Sequence, residues 1–343
     1  MRRRLWYYFV KYYMRTGFAF YFKSVRMVGE ENIPDKKAVL FVANHQNALL
    51  DPLLIGATNK RILHFITQAQ VFKNSIVNSI LVYINMLPIY RRRDGYDTLS
   101  KNEDTFQKCY RILDNKETLL IFAEGSHNLQ RRVRVLSKGF ARIAFGALEL
   151  NPNNEIDIIP IGYNYSDAEK YGSSASVYYG KPISANYYWK NFDKNESAIE
   201  LISAVSEQLK TLTTHIEGKS NYEEIVQHFK PDDFLYPEKV NKILENLDTL
   251  PPIPSKRKKG FNPLLLLVKI NSIFPLLIWR KVSRKIKEKE YISTFRFTVG
   301  ITATPLFYLI QTAVISYFFG GKIGLIYLLI SILSVYILAK TRY

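Results

Sequence analysis

The sequence predicts an α/β fold with a mostly parallel sheet flanked by helices, an N-terminal interfacial helix and a C-terminal transmembrane helical hairpin. Short apolar runs alternate with helical patterns in the first half of the chain, which is typical of a parallel sheet built from βα units. Residues 38–43 are apolar throughout, as expected of a strand buried on both faces. Residues 299–319 give 21 positions without a charge, long enough to cross a bilayer core of roughly 30 Å.

Residues 1–23 predict an amphipathic helix that lies in the membrane interface. Arg4, Lys11 and Arg15 are spaced to align on one stripe of a helix, and aromatic residues cover its other faces. The basic residues interrupt the apolar stretch and no small-residue cleavage site follows, so a signal peptide is not indicated. The alternative is an ordinary helix that packs on its own domain.

Residues 24–250 are predicted to form the α/β domain, with accessory helices from about residue 195. The strand candidates are 24–30, 38–43, 61–67, 86–90, 118–122, 156–162 and 175–180, and helical patterns lie near 51–58, 69–83, 95–115 and 138–150. Ligands of open parallel sheets bind beyond the carboxyl ends of the strands. Polar side chains in the loops that follow strands are therefore the first candidates for a site.

A Pro-rich, cationic stretch marks the next boundary. We predict a basic linker and interfacial segment over 251–298 and a transmembrane hairpin over 299–343, with a tight turn at 320–324. Basic residues precede the hairpin and recur at Lys340 and Arg342, which predicts both ends in the cytoplasm and the α/β domain on the cytoplasmic side of the inner membrane. The alternative is a buried helical hairpin of a soluble domain.

Composition favours an anionic partner. Lys and Arg outnumber Asp and Glu by 48 to 30, a net charge of +18, and the abundance of Tyr and Phe favours a membrane surface over nucleic acid. No nucleic-acid-binding signature is present. The one cysteine, Cys109, is spaced with Phe106 and Tyr110 as on a buried helix face, so a catalytic thiol is not indicated. No Cys/His cluster has the spacing of a zinc site.

A histidine and an aspartate follow the apolar strand candidate 38–43. Asn44 and His45 come directly after it, and five residues separate His45 from Asp51. Histidine suits a general base near neutral pH, and a carboxylate on its far ring nitrogen fixes the tautomer. His45 and Asp51 are therefore the candidate catalytic pair. An alternative role for Asp51 is the N-cap of a helix with Pro52 at its first position.

Cationic and Gly-turn patterns follow later strand candidates. Arg91 opens a run of three arginines after 86–90, and guanidinium groups bind phosphate bidentately. The alternative is a solvated or lipid-facing edge; we expect Arg91 to point inward. Glu124, Gly125 and Ser126 end the candidate 118–122, where the glycine permits a turn that aims backbone N–H groups at an anion. Glu124 is expected to orient an arginine or accept from a substrate hydroxyl, the alternative being an exposed side chain.

The order and spacing of these patterns over about residues 24–185 resemble those of the glycerolipid acyltransferases, of the lysophosphatidic-acid and glycerol-3-phosphate acyltransferase type. That family has Asn-His-x-x-x-x-Asp with His as base, matched here by His45 and Asp51 with one extra residue between them. Its second-motif arginine matches Arg91, and its fourth-motif proline matches Pro160.

The family's third motif, Phe-Pro-Glu-Gly-Thr-Arg, appears as Phe122-Ala-Glu-Gly-Ser-His127. Because His127 replaces the basic residue, we expect Arg131 or Arg132 to complete the phosphate clamp. The resemblance implies that Arg91, Glu124, Gly125, Ser126 and Pro160 bind substrate.

The resemblance implies an O-acyltransferase that moves a fatty acyl group from an acyl thioester to a hydroxyl of glycerol 3-phosphate or 1-acylglycerol 3-phosphate in phospholipid synthesis. It implies acyl-CoA or acyl carrier protein as co-substrate, membrane phospholipid as a partner, and no metal or other cofactor. The net charge of +18 would attract an acidic carrier protein.

Three alternatives stay open at this point. The first is an acyltransferase whose acceptor is a phosphate-free lipid. The second is a non-catalytic basic protein that binds membranes. The third is a metal-dependent hydrolase that uses His45, Asp51 and Glu124. The sequence does not separate the first from the second acylation step.

Overall fold

The computed structural model describes residues 2–90, 102–193, 196–218, 221–255 and 260–341. The described strands form one eight-stranded sheet in the order β1-β7-β6-β2-β5-β3-β4, with β8 paired to β6. They are β1 Ser24–Val28, β2 Ala38–Ala43, β3 Leu63–Gln68, β4 Met86–Ile89, β5 Thr118–Phe122, β6 Ile156–Tyr165, β7 Ser174–Tyr179 and β8 Ile183–Ser184. All pairings are parallel except those of β6 with β7 and β8. The predicted α/β fold with a mostly parallel sheet is confirmed.

Helices cover both faces of this sheet. The helices are α1 Arg2–Tyr21, α2 Leu50–Thr58, α3 Ser75–Tyr83, α4 Asn102–Asp114, α5 Gly139–Leu150, α6 Ala185–Asn191, α7 Glu196–Leu212, α8 Tyr222–Gln227, α9 Pro237–Leu244, α10 Pro263–Asn271, α11 Ile273–Ser283, α12 Ile292–Phe319 and α13 Gly321–Thr341. Side chains alternate across β2: Leu40 packs in the core shared with α4, α5 and α7, whereas Phe41 packs in the core shared with α1 and α2. Cys109 lies in the first of these cores, as predicted, and burial raises its thiol pKa to about 12.

Strand β2 fixes where the loops at the carboxyl edge of the sheet begin. β2 pairs with β5 on one side and with β6 on the other, so that Ala43 lies level with Phe122 and with Ile161. All residues of β2 and β6 are buried. The loops that leave β2 and β5 therefore start side by side on a rigid support.

Helix α1 has one buried and one exposed face. Its Tyr7 and Phe18 are buried against the domain, and the Tyr7 hydroxyl accepts a hydrogen bond from Leu63 N at 3.1 Å. Its Leu5 and Phe9 are exposed. The helix thus packs on its own domain while offering an apolar face outward, and its placement in a membrane interface stays a prediction.

The C-terminal part consists of apolar helices with outward-facing side chains. Two helical segments of the described chain, Lys289–Phe319 and Gly321–Thr341, are long and apolar enough to cross a membrane. The turn predicted over 320–324 is confined to Gly320, because its φ of 90° and ψ of 152° reverse the chain within one residue. Helices α10 and α11 meet at a bend of 85°, and counting this pair as one span would give a third.

Candidate active site

The loop after β2 leaves the sheet in a fixed direction. The Asn44 side chain bridges to β6, since its Nδ2 donates to Tyr163 O at 3.2 Å and its Oδ1 accepts from Tyr163 N at 2.7 Å. The loop then turns through Ala48, whose φ is 33°, before α2 begins at Leu50. Because Asn44 follows β2 and is bonded to β6, the position of His45 at the start of the loop is fixed by both strands.

The His45 and Asp51 side chains are in hydrogen-bond contact. His45 Nδ1 lies 2.8 Å from Asp51 Oδ2, and the same oxygen accepts from Gln46 N at 2.9 Å and Asn47 N at 2.8 Å. The loop therefore curls around the carboxylate, which explains why five intervening residues still allow the contact. Asp51 lies within the first turn of α2, whose N-cap is Leu49, so it does not serve as the N-cap.

Two buried tyrosines on β6 complete the shell around Asp51. Tyr165 Oη donates to Asp51 Oδ1 at 2.5 Å, and Tyr163 Oη donates to the Asp51 carbonyl at 2.8 Å. Burial, followed by the nearby Asp51 charge, raises the pKa of both phenols well above the usual value, so both remain protonated donors. The fully buried Asp51 carboxylate is thus surrounded by hydrogen-bond donors, an arrangement that can balance a positive imidazole.

The His45 ring is held on both sides but stays accessible. It stacks on Phe122 with ring centroids 4.0 Å apart and meets the His127 ring edge-on at 5.6 Å. The His45 carbonyl accepts from Asn128 N at 2.9 Å. Its side chain is 15% exposed, whereas that of Asp51 is 0% exposed. The ring is therefore partly open to solvent at the carboxyl edge of the sheet, in the space between the loops after β2 and β5 that we call the crevice.

Glu124 lies beside His45 and holds an arginine. Because Ala43 pairs with Phe122, His45 and Glu124 both stand two residues beyond the paired ends of β2 and β5. Glu124 Oε2 accepts from His45 N at 3.3 Å and is 2.6 Å from Arg134 Nη2. The Glu124 side chain is 2% exposed, so the alternative of an exposed turn residue is wrong.

Arg134 forms a fork across the Gly turn. Its Nε and backbone N donate to the two carboxylate oxygens of Glu124 at 3.1 Å each. Its Nη1 donates to Ser126 Oγ at 2.6 Å, and its Nη2 also contacts the Ser126 carbonyl. With 26% of its side chain exposed, Arg134 presents positive charge at the crevice. Sequence reasoning missed this residue, whose only signal is a position ten residues after Glu124 in a segment without regular structure.

Arg131, expected as part of a phosphate clamp, serves the framework of the domain instead. Its guanidinium donates to the carbonyls of Tyr165 at 2.7 Å and Ser166 at 3.2 Å, and it stacks 3.8 Å above the Phe234 ring. Burial lowers the pKa of Arg131 to about 10. This arginine joins the crevice loop to β6, and its expected place in a clamp is wrong because its donors are already used.

The remaining sequence-predicted residues fall in different places. Gly125 has a φ of 71° and its N–H donates to Phe122 O at 3.2 Å, so this N–H is used within the turn. Pro160 lies inside β6, level with Val42, and is buried in the sheet behind the crevice. Arg91 lies outside the described residues.

Tyr90 and Asn102, which flank the segment that contains Arg91, are joined by hydrogen bonds. Tyr90 N donates to Asn102 Oδ1 and Asn102 Nδ2 donates to Tyr90 O, both at 2.8 Å. Strand β4, which ends at Ile89, runs parallel to β3, and β3 runs parallel to β5. The chain therefore enters this segment from the same edge of the sheet that carries His45 and Glu124.

A C-terminal segment reaches the crevice through His127, a contact that sequence reasoning missed. His127 Nε2 lies 2.8 Å from Glu288 Oε2, and the His127 ring meets Tyr291 edge-on at 4.9 Å. In the described part of the chain, His127, Glu288 and Glu290 are the one group whose ligand atoms, all within 4.8 Å of one another, could hold a metal ion. The group lies beside the His45–Asp51 pair and is not part of it.

The matches to known proteins fall on this part of the molecule. Residues 24–164 match the family model described as Acyltransferase. These residues are thus similar to an acyltransferase domain, and residues 24–164 are called the acyltransferase domain below. This stretch includes His45, Asp51, Glu124 and Arg134, whereas Tyr165, which donates to Asp51, lies just beyond it.

Curated relatives cover mainly the acyltransferase domain. Glycerol-3-phosphate O-acyltransferases 2 and 1 of Saccharomyces cerevisiae are 27% and 29% identical over 115 residues, which is 33% and 32% of this chain and 16% and 15% of theirs. A probable 1-acyl-sn-glycerol-3-phosphate acyltransferase of Mycoplasma pneumoniae is 30% identical over 159 residues, 45% of this chain and 54% of that protein. The chain thus spans about half or less of the length of these relatives.

A solved structure is also similar. The 1-acyl-sn-glycerophosphate (LPA) acyltransferase PlsC from Thermotoga maritima aligns over 61% of this chain and 78% of its own, with 21% identity and a TM-score of 0.45.

Proposed function

We propose that this protein is an O-acyltransferase that transfers a fatty acyl group from an acyl thioester to a hydroxyl of glycerol 3-phosphate or 1-acylglycerol 3-phosphate. The observation that carries the proposal is the 2.8 Å contact between His45 Nδ1 and Asp51 Oδ2 at the carboxyl edge of the sheet. The curated relatives that match the domain bear the names of acyltransferases acting on these two acceptors, which supports the same reaction.

In the proposed reaction, His45 acts through its second ring nitrogen. Nε2 takes the proton of the acceptor hydroxyl while the oxygen attacks the thioester carbonyl. Asp51 holds the Nδ1 proton and stabilises the imidazolium that forms. When the tetrahedral intermediate collapses, the C–S bond breaks and the imidazolium returns the proton to the leaving thiolate. One C–O bond replaces one C–S bond, and His45 ends neutral.

We assign the acceptor phosphate to the cationic side of the crevice. The partly exposed guanidinium of Arg134 faces this side, and its fork with Glu124 and Ser126 fixes its direction. Arg91 is the second proposed phosphate ligand on the strength of the sequence pattern. Glu124 then acts by orienting both Arg134 and the His45 backbone. One carboxylate thereby fixes the position of the proposed base, His45, relative to the proposed phosphate-binding residue, Arg134.

A phosphate-free lipid acceptor is the second candidate, favoured by one specific observation. Arg131 donates to two backbone carbonyls, and His127, at the basic position of the family motif, is paired with Glu288. Arg131, one of the two arginines expected to complete the phosphate clamp, and the residue at the basic motif position are thus both occupied elsewhere. An alcohol without phosphate would need only the His45–Asp51 pair.

We further propose that the protein is anchored in the inner membrane with the acyltransferase domain on its cytoplasmic face. The two candidate spans, Lys289–Phe319 and Gly321–Thr341, support anchoring, and the basic residues beside them support the orientation. On that face the domain would meet acyl-CoA or acyl carrier protein as donor.

The test is product analysis with matched acceptors. Purified full-length protein in bilayer nanodiscs receives acyl-CoA or acyl carrier protein and, in parallel, glycerol 3-phosphate, 1-acylglycerol 3-phosphate or monoacylglycerol, and mass spectrometry identifies the ester formed. Acylation of one phosphate-bearing acceptor at a much higher rate than of monoacylglycerol is expected. Equal rates on monoacylglycerol would replace the first candidate by the second, and no ester with any acceptor would contradict both.

A further inference from the structure

A basic groove lies at the end of α11. Its volume is about 630 Å³ and it is lined by Leu277, Arg280, Lys281, Arg284 and Lys285. Leu277, Arg280 and Lys281 lie on one face of α11, Arg284 and Lys285 stand in the turn that follows it, and all five are exposed. Four cations and one apolar side chain therefore point toward a single open space.

The positive charge of the groove is not neutralised within the described part of the chain. No ion pair joins Arg280, Lys281, Arg284 or Lys285 to a carboxylate among the described residues. Like charges four residues apart repel each other on a helix. The α11 C-terminus favours cations in its last turn, where Arg280 and Lys281 stand, but Arg284 and Lys285 follow the end of the helix at Ser283. The cluster is thus not paired with any described carboxylate, and its charge is suited to bind an anion.

The surface that adjoins the groove is apolar. Phe274, Leu276 and Ile278 of α11 are 59%, 40% and 46% exposed, and several side chains of α10 are exposed as well. Trp279 stands between these residues and the cations in the sequence, with the Arg296 guanidinium 4.7 Å from the centre of its ring. Apolar side chains beside cations, with an aromatic residue at the boundary, are the pattern of a helix in the headgroup region of a bilayer.

We propose that this groove binds the phosphate headgroups of anionic phospholipids in the bilayer to which the protein belongs. An acidic protein would complement the four cations but would leave the apolar surface of α10 and α11 in water. An anionic lipid satisfies both surfaces at once, with phosphate on the cations and acyl chains along the helices. Glu288 follows three residues after Lys285 and contacts His127 beside the catalytic pair, so the bound headgroup lies in the segment that reaches the crevice.

The experiment uses Trp279 as its reporter. The chain contains three tryptophans, so Trp6→Phe and Trp189→Phe leave Trp279 as the sole one in the full-length protein. Fluorescence is measured in nanodiscs of phosphatidylcholine and phosphatidylglycerol at equal fractions, with bromine on the acyl chains of one lipid or the other. Brominated phosphatidylglycerol is expected to show about a fivefold preference or more, the factor that one Lys or Arg gives near an anionic surface. Higher salt is expected to reduce this preference.

A charge-neutral variant and a matched control identify the groove. Replacing Arg280, Lys281, Arg284 and Lys285 by Gln is expected to bring the preference close to one. Four exposed lysines between residues 24 and 250, outside the groove, are replaced by Gln in the control, which is expected to keep the preference; they are Lys60, Lys108, Lys181 and Lys190.

Three results would overturn the proposal. The first is equal quenching by both lipids in the protein with an intact groove, which does not depend on how the variants fold. The second is an unchanged preference in the groove variant. The third is loss of acyl carrier protein binding in that variant while the lipid preference persists, because the groove would then be a dock for an acidic protein.

Discussion

The hydrogen bonds around Asp51 allow the role of its charge to be isolated by Asp51→Asn. Asp51 Oδ2 accepts from His45 Nδ1, Gln46 N and Asn47 N, so an amide oxygen must take this place. The amide nitrogen then faces Tyr165, whose hydroxyl rotates to accept instead of donate. The substitution therefore removes one negative charge while keeping the shape and the contact with His45.

The size of the effect follows from the separation of the two charges. A carboxylate and an imidazolium in hydrogen-bond contact have charge centres about 4 Å apart, which gives about 4 kcal/mol at an effective dielectric constant of about 20. The His45 side chain is 15% exposed, so solvent screens part of this interaction. With about 1.4 kcal/mol for each factor of ten, kcat is expected to fall by about 10²- to 10³-fold.

The assay is steady-state acyl transfer by full-length protein in nanodiscs, with the melting temperature measured on the same samples. Little change in KM is expected, because Asp51 does not contact the substrate in the proposed mechanism. Tyr165→Phe is the matched control, since it removes one donor to Asp51 but leaves the charge in place. Its kcat is expected to fall by less than that of Asp51→Asn. A kcat for Asp51→Asn within about threefold of wild type, with an intact fold, would refute the electrostatic reasoning.

Three further predictions concern other parts of the molecule. Arg134→Lys breaks the forked contact across the Gly turn, because an ammonium cannot make it, and a loss of about 10- to 100-fold in kcat/KM for the phosphate-bearing acceptor is expected in the acyl-transfer assay. Burial lowers the pKa of His215, so the unfolded chain binds more protons than the folded chain as the pH falls below about 6.5, and the protein becomes less stable. His215→Gln is therefore expected to reduce the drop in melting temperature between about pH 7.5 and 5.5. An unchanged drop would contradict this. Gly146→Ala places a methyl group against the Tyr110 ring and is expected to lower the free energy of unfolding by about 1–3 kcal/mol in chemical denaturation, whereas the control Gly300→Ala, in open space, is not.

The strands of the sheet could be predicted because their signals are local. The apolar run over β2 and the turn residues around it lie within a few positions of each other, and β2 was found with the predicted bounds, Ala38–Ala43. Strand β6 was predicted to end at residue 162 but extends to Tyr165, because these residues pair with β7 while the hydroxyls of Tyr163 and Tyr165 bind the buried Asp51. The sequence pattern places the end of a strand at polar side chains such as these, because it does not show a hydrogen-bond partner more than a hundred residues away.

In the candidate site too, contacts between residues near in sequence could be predicted, whereas contacts between distant residues could not. His45 and Asp51 are six positions apart, and a strand followed by a helix start was enough to predict that they belong together. Arg134 reaches Glu124 through an irregular segment with no periodicity to follow. The contact of His127 with Glu288 spans 161 positions, so only the folded chain shows that the C-terminal segment meets the crevice.

Rapid-quench measurement of the acyl-transfer step decides whether His45 is the base. Wild-type protein and His45→Gln, in the same nanodiscs and saturated with acyl donor, are mixed with the acceptor, and the first turnover is followed by the ester formed. A general base contributes about 10²- to 10⁴-fold, so a loss of that size with unchanged melting temperature is expected for His45→Gln. A first-turnover rate within about threefold of wild type would show that the proton leaves the hydroxyl by another route.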